Sequence, residues 1–257
     1  MLVIRLTKLV VFFPILVLVC VIGCTASPEL DMENASEIVI AQPTSTNESV
    51  EDVEPEYATE TTETNLEIQV LPCGLHLVPL GKQLGLDKDC IPEELILLAS
   101  SVAFADCYLI PEAAEALINL ISAAEQHDHL LVAVSCYRSY QYQKEVYERN
   151  IREIGEEQTA LEVALAGHSE HQLGTTVDIS SSDLGFELTQ LFGATPGGEW
   201  LNKNASNFGF VLSYPEGFED RTGYVYEPWH FRWVGVALAK AIESSDLTVE
   251  EYLKTTW

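Results

Sequence analysis

Gly167-His168-Ser169-Glu170-His171-Gln172-Leu173-Gly174-Thr175-Thr176-Val177-Asp178 is the stretch on which the reading of this chain turns. It sets His171 and Asp178 seven positions apart, with Gly174 as a turn between them. Val177-Asp178-Ile179 then has the pattern of a strand fragment. Successive strand side chains point to opposite faces, so Asp178 faces away from the side that Val177 and Ile179 bury. A second cluster, Glu227-Pro228-Trp229-His230, stands farther along the chain at the end of an apolar strand pattern, Tyr224 to Glu227. Two imidazoles and one carboxylate are the donor types a catalytic zinc ion takes when it keeps a position for water. His171, Asp178 and His230 are therefore the candidate ligands. Glu227 remains as a carboxylate able to take a proton from metal-activated water and return it to a leaving amine. Taken singly, His171 reads more readily as a surface or capping histidine than as a ligand, Asp178 could be a turn residue and Glu227 with His230 a structural pair. His76, His127, His129 and His168 have no partner at a useful spacing, and His168 lies near enough to be a decoy.

Around these segments the pattern is mixed. Residues 68 to 88 are broken by Pro72, Gly74, Pro79, Gly81 and Gly85, and should form a covering strand or loop. Leu95, Leu98 and Val102 recur on one helical face after Pro92. Pro111-Glu112 opens a helix to about Gln126, with Ala114, Leu117, Ile118 and Ile121 as its buried stripe. Leu130 to Val134 reads as a buried strand. Tyr137-Arg138-Ser139 sits at its junction with a helix from Lys144 to Gly155, where side chains often face a cleft. Helices are also expected at Glu157 to Leu165, Trp200 to Asn207, Val234 to Ile242 and Val249 to Leu253, with a strand at Phe208 to Leu212 and a polar loop at Tyr214 to Thr222. Strands and helices that do not alternate strictly indicate an α+β fold. Arg138, always charged and carrying a fork of donors, is the candidate to hold a substrate carboxylate or developing oxyanion.

The rest of the chain concerns delivery. Residues 1–24 have a basic start, Arg5 and Lys8, an apolar run from Leu9 to Ile22, and Gly23-Cys24 at its end. This is the form of an export signal. A cysteine directly after Gly23 resembles the lipobox of bacterial lipoproteins, which implies lipidation at Cys24 and anchoring to the outer face of the cytoplasmic membrane. The apolar run is short for a retained span. Residues 25–65 carry 11 acidic side chains and no Lys or Arg, a composition expected of a disordered acidic tether. Setting those acids and the two basic residues of the leader aside leaves 29 acidic against 11 basic groups in residues 66–257, the expected enzyme domain. Nucleic acid is excluded as a partner by that sign of charge. Cys73, Cys90, Cys107 and Cys136 form an even set in an exported domain, which favours two disulfides over a metal site, since no Cys-x-x-Cys is present. Three pairings are open, and Cys73 with Cys90 closes one of the two shortest loops.

Ser169-x-His171-x-x-Gly174-x-x-x-Asp178 with Glu227-x-x-His230 resembles the LAS metallopeptidases, named for lysostaphin, D-alanyl-D-alanine peptidases and sonic hedgehog. Tyr137-Arg138-Ser139-Tyr140, Ser169-Glu170-His171-Gln172-x-Gly174, Phe208-Gly209-Phe210, Tyr214-Pro215, Thr222-Gly223-Tyr224 and Glu227-Pro228-Trp229-His230-Phe231-Arg232 are similar to the VanY-type D-alanyl-D-alanine carboxypeptidases, over roughly residues 68 to 245. The resemblance implies a small antiparallel sheet flanked by helices, one Zn²⁺ on His171, Asp178 and His230, Glu227 as catalytic base and Arg138 on the substrate. Ser139, Gln143 and Ser169 would line the pocket for a terminal D-alanine carboxylate. The implied reaction is removal of the C-terminal D-alanine from peptidoglycan stem peptides by a monomer. L,D-carboxypeptidases and D,D-dipeptidases or endopeptidases of the same family are the alternatives. A non-catalytic cell-wall binding domain would lack a ligand or the base, and all four are present. Two positions depart from the pattern: Thr176 replaces a common alanine, and Ser213 stands where an arginine often precedes Tyr-Pro, which puts a substrate contact there in question.

Overall fold

The computed structural model describes residues 69–257. The expected leader, Cys24 and the acidic tether lie outside the described residues. The chain runs through β1 (Gln69–Leu71), β2 (Leu84–Leu86), β3 (Ile96–Leu97), β4 (Tyr108–Leu109), α1 (Pro111–Glu125), β5 (Leu131–Ser135), α2 (Tyr140–Ile154) and α3 (Glu156–Glu162). It continues through β6 (Thr176–Ser181), α4 (Pro196–Asn204), β7 (Phe210–Leu212), α5 (Glu219–Thr222), β8 (His230–Trp233), α6 (Val236–Glu243) and α7 (Val249–Thr256). Among the described residues no helix is long and apolar enough to cross a membrane.

The central sheet has four antiparallel strands in the order β5-β6-β8-β7. Its register decides the site. Asp178 pairs directly with His230, and Thr176 with Arg232. Val177, Ile179 and Phe231 alternate onto the other face, where they join Leu117, Leu120, Leu131 and Phe210 in the main core. Burying each such side chain contributes about 1.5–3 kcal/mol, and that core fixes which face carries the polar set. Helix α1 covers it through Ala113, Leu117, Leu120 and Ala124; Pro111 at its first turn lacks the N–H a helix start leaves unpaired. Ile118, expected in that stripe, is exposed.

Two disulfides fasten the periphery. Cys73 pairs with Cys90, as favoured from loop length, and Cys107 with Cys136. One segment differs from expectation. Residues 92–102 form no helix. Ile96–Leu97 instead pair with Tyr108–Leu109 as strands β3 and β4, and Leu98 N–H donates to the Cys107 carbonyl. Leu98 and Val102 still reach the core, from a turn instead of a helical face. Residues 224–227 form no strand either. Their N–H groups go to scattered carbonyls, Val225 to Leu161 and Glu227 to Tyr214. His230 consequently opens β8 rather than ending a strand.

Candidate active site

His171 comes from a single 3-10 turn, Glu170–Leu173, closed by Gly174 at φ 70°. A Cβ at Gly174 would sit 3.0 to 3.2 Å from Leu95, Pro92 and Ile110 atoms, so both the backbone angle and the space call for glycine. The Gly174 carbonyl accepts from Ile110 N–H at the start of α1, and this locks the turn to the core. Asp178 and His230 face each other across β6 and β8. The structure thus brings His171, Asp178 and His230 together, with one donor atom from each lying within 4.8 Å of the others.

Hydrogen bonds set the ring orientations. His171 Nδ1 lies 2.6 Å from the Cys136 carbonyl, which can only accept, so Nδ1 carries the proton. Its Nε2 lone pair then faces Asp178 Oδ2 at 3.2 Å and accepts from Arg138 Nη2 at 3.0 Å. His230 is turned the other way. Its Nε2 donates to Glu170 Oε2 at 3.0 Å, leaving Nδ1 towards Asp178 Oδ1 at 3.3 Å and Glu227 Oε2 at 3.4 Å. A tetrahedral ion with bonds of about 2.0–2.1 Å places its donor atoms about 3.3 Å apart; each imidazole nitrogen lies that far from an oxygen of Asp178, His171 from Oδ2 and His230 from Oδ1. Asp178 Oδ1 is buried and receives no hydrogen bond. The donor set therefore fits a zinc ion.

Charge is distributed unevenly among these groups. Burial works against the Asp178 carboxylate, but His171, His230 and Arg138 outweigh it and hold Asp178 well below the usual carboxylate range. Burial, reinforced by Arg138, pushes His171 down to about 4, so its ring is neutral and ready to donate a lone pair. For His230 the neighbouring carboxylates of Asp178 and Glu170 overcome burial and raise it to about 10. Glu227, 7% exposed, is pushed up to about 7, mainly by burial and further by the Asp178 charge, with His230 and Arg138 opposing. A carboxyl poised near neutrality beside a ligand cluster has the properties of a general base.

The cleft over these residues has a volume of about 190 Å³. Arg138, Gln143 and Ser169 line it, together with Glu227, Trp229 and Tyr214. Arg138 is held by Ser135 Oγ on its Nε and Gln143 Oε1 on its Nη1, which aims Nη2 at Asp178 Oδ2, 2.7 Å away. Ser139 has a structural role. It caps α2, its hydroxyl accepting from Tyr142 N–H, and it is not part of the cleft wall. Ser213 is not there either: it is buried and donates to Glu170 Oε2. Thr176 is accommodated on β6, its hydroxyl buried without a partner. His168 points away, onto the Gly81 carbonyl. A larger concavity of about 260 Å³ lies beside Cys90 and Ile91, but none of the ligand cluster borders it.

Three residues with no assigned role complete the site. Glu170 and Arg232 form a buried ion pair at 2.9 Å behind His230, and the Tyr214 ring lies 4.7 Å from the His230 ring. The available signal was Arg232 itself. An arginine two positions after His230 shares its strand face, and a buried guanidinium requires an acid.

The model of the D-alanyl-D-alanine carboxypeptidase family VanY matches residues 106–236. The chain belongs to the VanY family. This VanY-family chain is 41% identical over 182 residues to YodJ of Bacillus subtilis (strain 168), covering 69% of this chain and 67% of that protein. Among solved structures it is similar to the LdcB LD-carboxypeptidase, with 41% identity, a TM-score of 0.65, and coverage of 70% of this chain and 86% of that one. A VanY D,D-pentapeptidase variant from a VanB-type resistance cassette, in complex with Zn(II), has 27% identity and a TM-score of 0.60, covering 69% and 98%. The α+β architecture of the VanY family is that of this chain.

Proposed function

We propose that this VanY-family enzyme is a zinc-dependent carboxypeptidase that releases the C-terminal D-alanine of peptidoglycan stem peptides. The observation that carries this is Glu227, buried and raised to about 7, 3.4 Å from His230 Nδ1 at the edge of a three-donor cluster. His171 through Nε2, Asp178, and His230 through Nδ1 would hold the ion. When bound, zinc supplies Lewis acidity and lowers the pKa of water. Glu227 takes the proton of the attacking water and returns it to the leaving amine of D-alanine. Arg138, steadied by Ser135 and Gln143, neutralises charge developing on the scissile carbonyl oxygen. Gln143 and Ser169 line the wall that would face the terminal carboxylate.

A second reading concerns the bond cut. The chain shares 41% identity with an LD-carboxypeptidase and 27% with a D,D-pentapeptidase, which favours an L,D bond. Mass spectrometry of muropeptides after digestion separates the two. Pentapeptide shortened by one alanine supports the D,D reading, tetrapeptide shortened to tripeptide supports L,D, and no loss of alanine from either overturns the function. The Cys24 motif and the acidic segment after it support export, lipid anchoring outside the cytoplasmic membrane and reach towards the wall.

A further inference from the structure

Glu170 is 2% exposed, yet it touches no cleft surface and takes no part in the chemistry above. All its hydrogen bonds point inward. Oε2 accepts from His230 Nε2 at 3.0 Å and from Ser213 Oγ at 2.5 Å; Oε1 accepts from Arg232 Nη1 at 2.9 Å. Arg232 is fully buried and anchored in turn, its Nη2 donating to the carbonyls of His76 and Val78 at 2.9 and 2.8 Å. The Glu170 carboxylate is thus held from two sides by groups outside the cleft, and its remaining bond is to His230.

We propose that Glu170 is a positioning residue for His230. An ionised carboxylate can only accept, so it keeps a proton on Nε2 and leaves Nδ1, which faces Asp178 and Glu227, as the nitrogen that would take the ion. Ser213 and Arg232 hold the acceptor, which assigns Ser213 to this relay and not to a substrate contact. The proposal rests on the metal reading of His230 given above.

Zinc affinity measured by chelator competition, on wild type, Glu170→Gln and Glu170→Ala, tests it. Glutamine retains an oxygen that can accept from Nε2; alanine does not. Both remove the charge opposite Arg232, so metal-free thermal stability should fall in both. Zinc affinity should fall about 10- to 100-fold in Glu170→Ala and only a few-fold in Glu170→Gln. Equal losses in the two variants would assign Glu170 to balancing Arg232 alone and overturn the proposal, as would an unchanged affinity in Glu170→Ala. Should the variants fail to fold, ¹⁵N spectra of the histidine rings in zinc-loaded wild type decide: a proton on His230 Nε2 and metal on Nδ1 support it, and the reverse refutes it. Wild type that takes up no zinc defeats the metal reading itself, whatever the variants do.

Discussion

At the scale of single residues, Glu227 is the sharpest commitment. Its carboxyl sits raised to about 7 because burial disfavours its charge, and His230 Nδ1 lies 3.4 Å away. Glu227→Gln keeps the shape and removes the base. Release of alanine should fall about 10²- to 10⁴-fold while zinc uptake persists; unchanged turnover would remove Glu227 from the mechanism. The four residues central to this chemistry could be found in the sequence because their joint order and spacing resemble the VanY pattern; singly each had an ordinary structural reading, and strand alternation gave a direction only to Asp178. Ser139 could not be placed the same way, because serine at a strand-to-helix junction serves equally as a helix cap. Glu170 and Ser213 lie 43 positions apart, and nothing in local spacing announces that one accepts from the other.

At the scale of elements, two short connections carry the geometry. Gly174 combines a left-handed backbone with close neighbours from Pro92 to Ile110. Gly174→Ala should cost about 1–2 kcal/mol from the backbone alone, with added loss from the contacts, seen as a lower midpoint in denaturant titration. The Cys107–Cys136 bridge closes a separation of 29 residues and fixes the segment whose Cys136 carbonyl orients His171. Replacing both cysteines with serine should reduce stability by about 3–4 kcal/mol and weaken zinc binding as well. A stability loss with zinc affinity intact would separate the bridge from the site. Helix α1 was legible because periodicity and Pro111 agree. Residues 92–102 and 224–227 were not, since pairing with β4 and loop carbonyls outside the local sequence decide their backbone.

At the scale of the whole molecule, the site is a buried set of charges whose balance depends on protons. His230, raised to about 10 from an ordinary 6.5, contributes stability to the metal-free protein below about 6.5, and that contribution is lost as pH rises towards 10. Zinc must displace the Nδ1 proton of His230, whereas Nε2 of His171, lowered to about 4, carries none at neutral pH. Zinc affinity should therefore climb steadily with pH across the neutral range, and a flat profile in chelator competition would contradict this charge assignment. The measurement that bears most directly on the account is a titration of zinc into chelator-stripped protein, with D-alanine release as the readout. One equivalent per chain should restore full release from a stem peptide. Release that survives complete removal of metal, or that never returns on adding zinc, would contradict it.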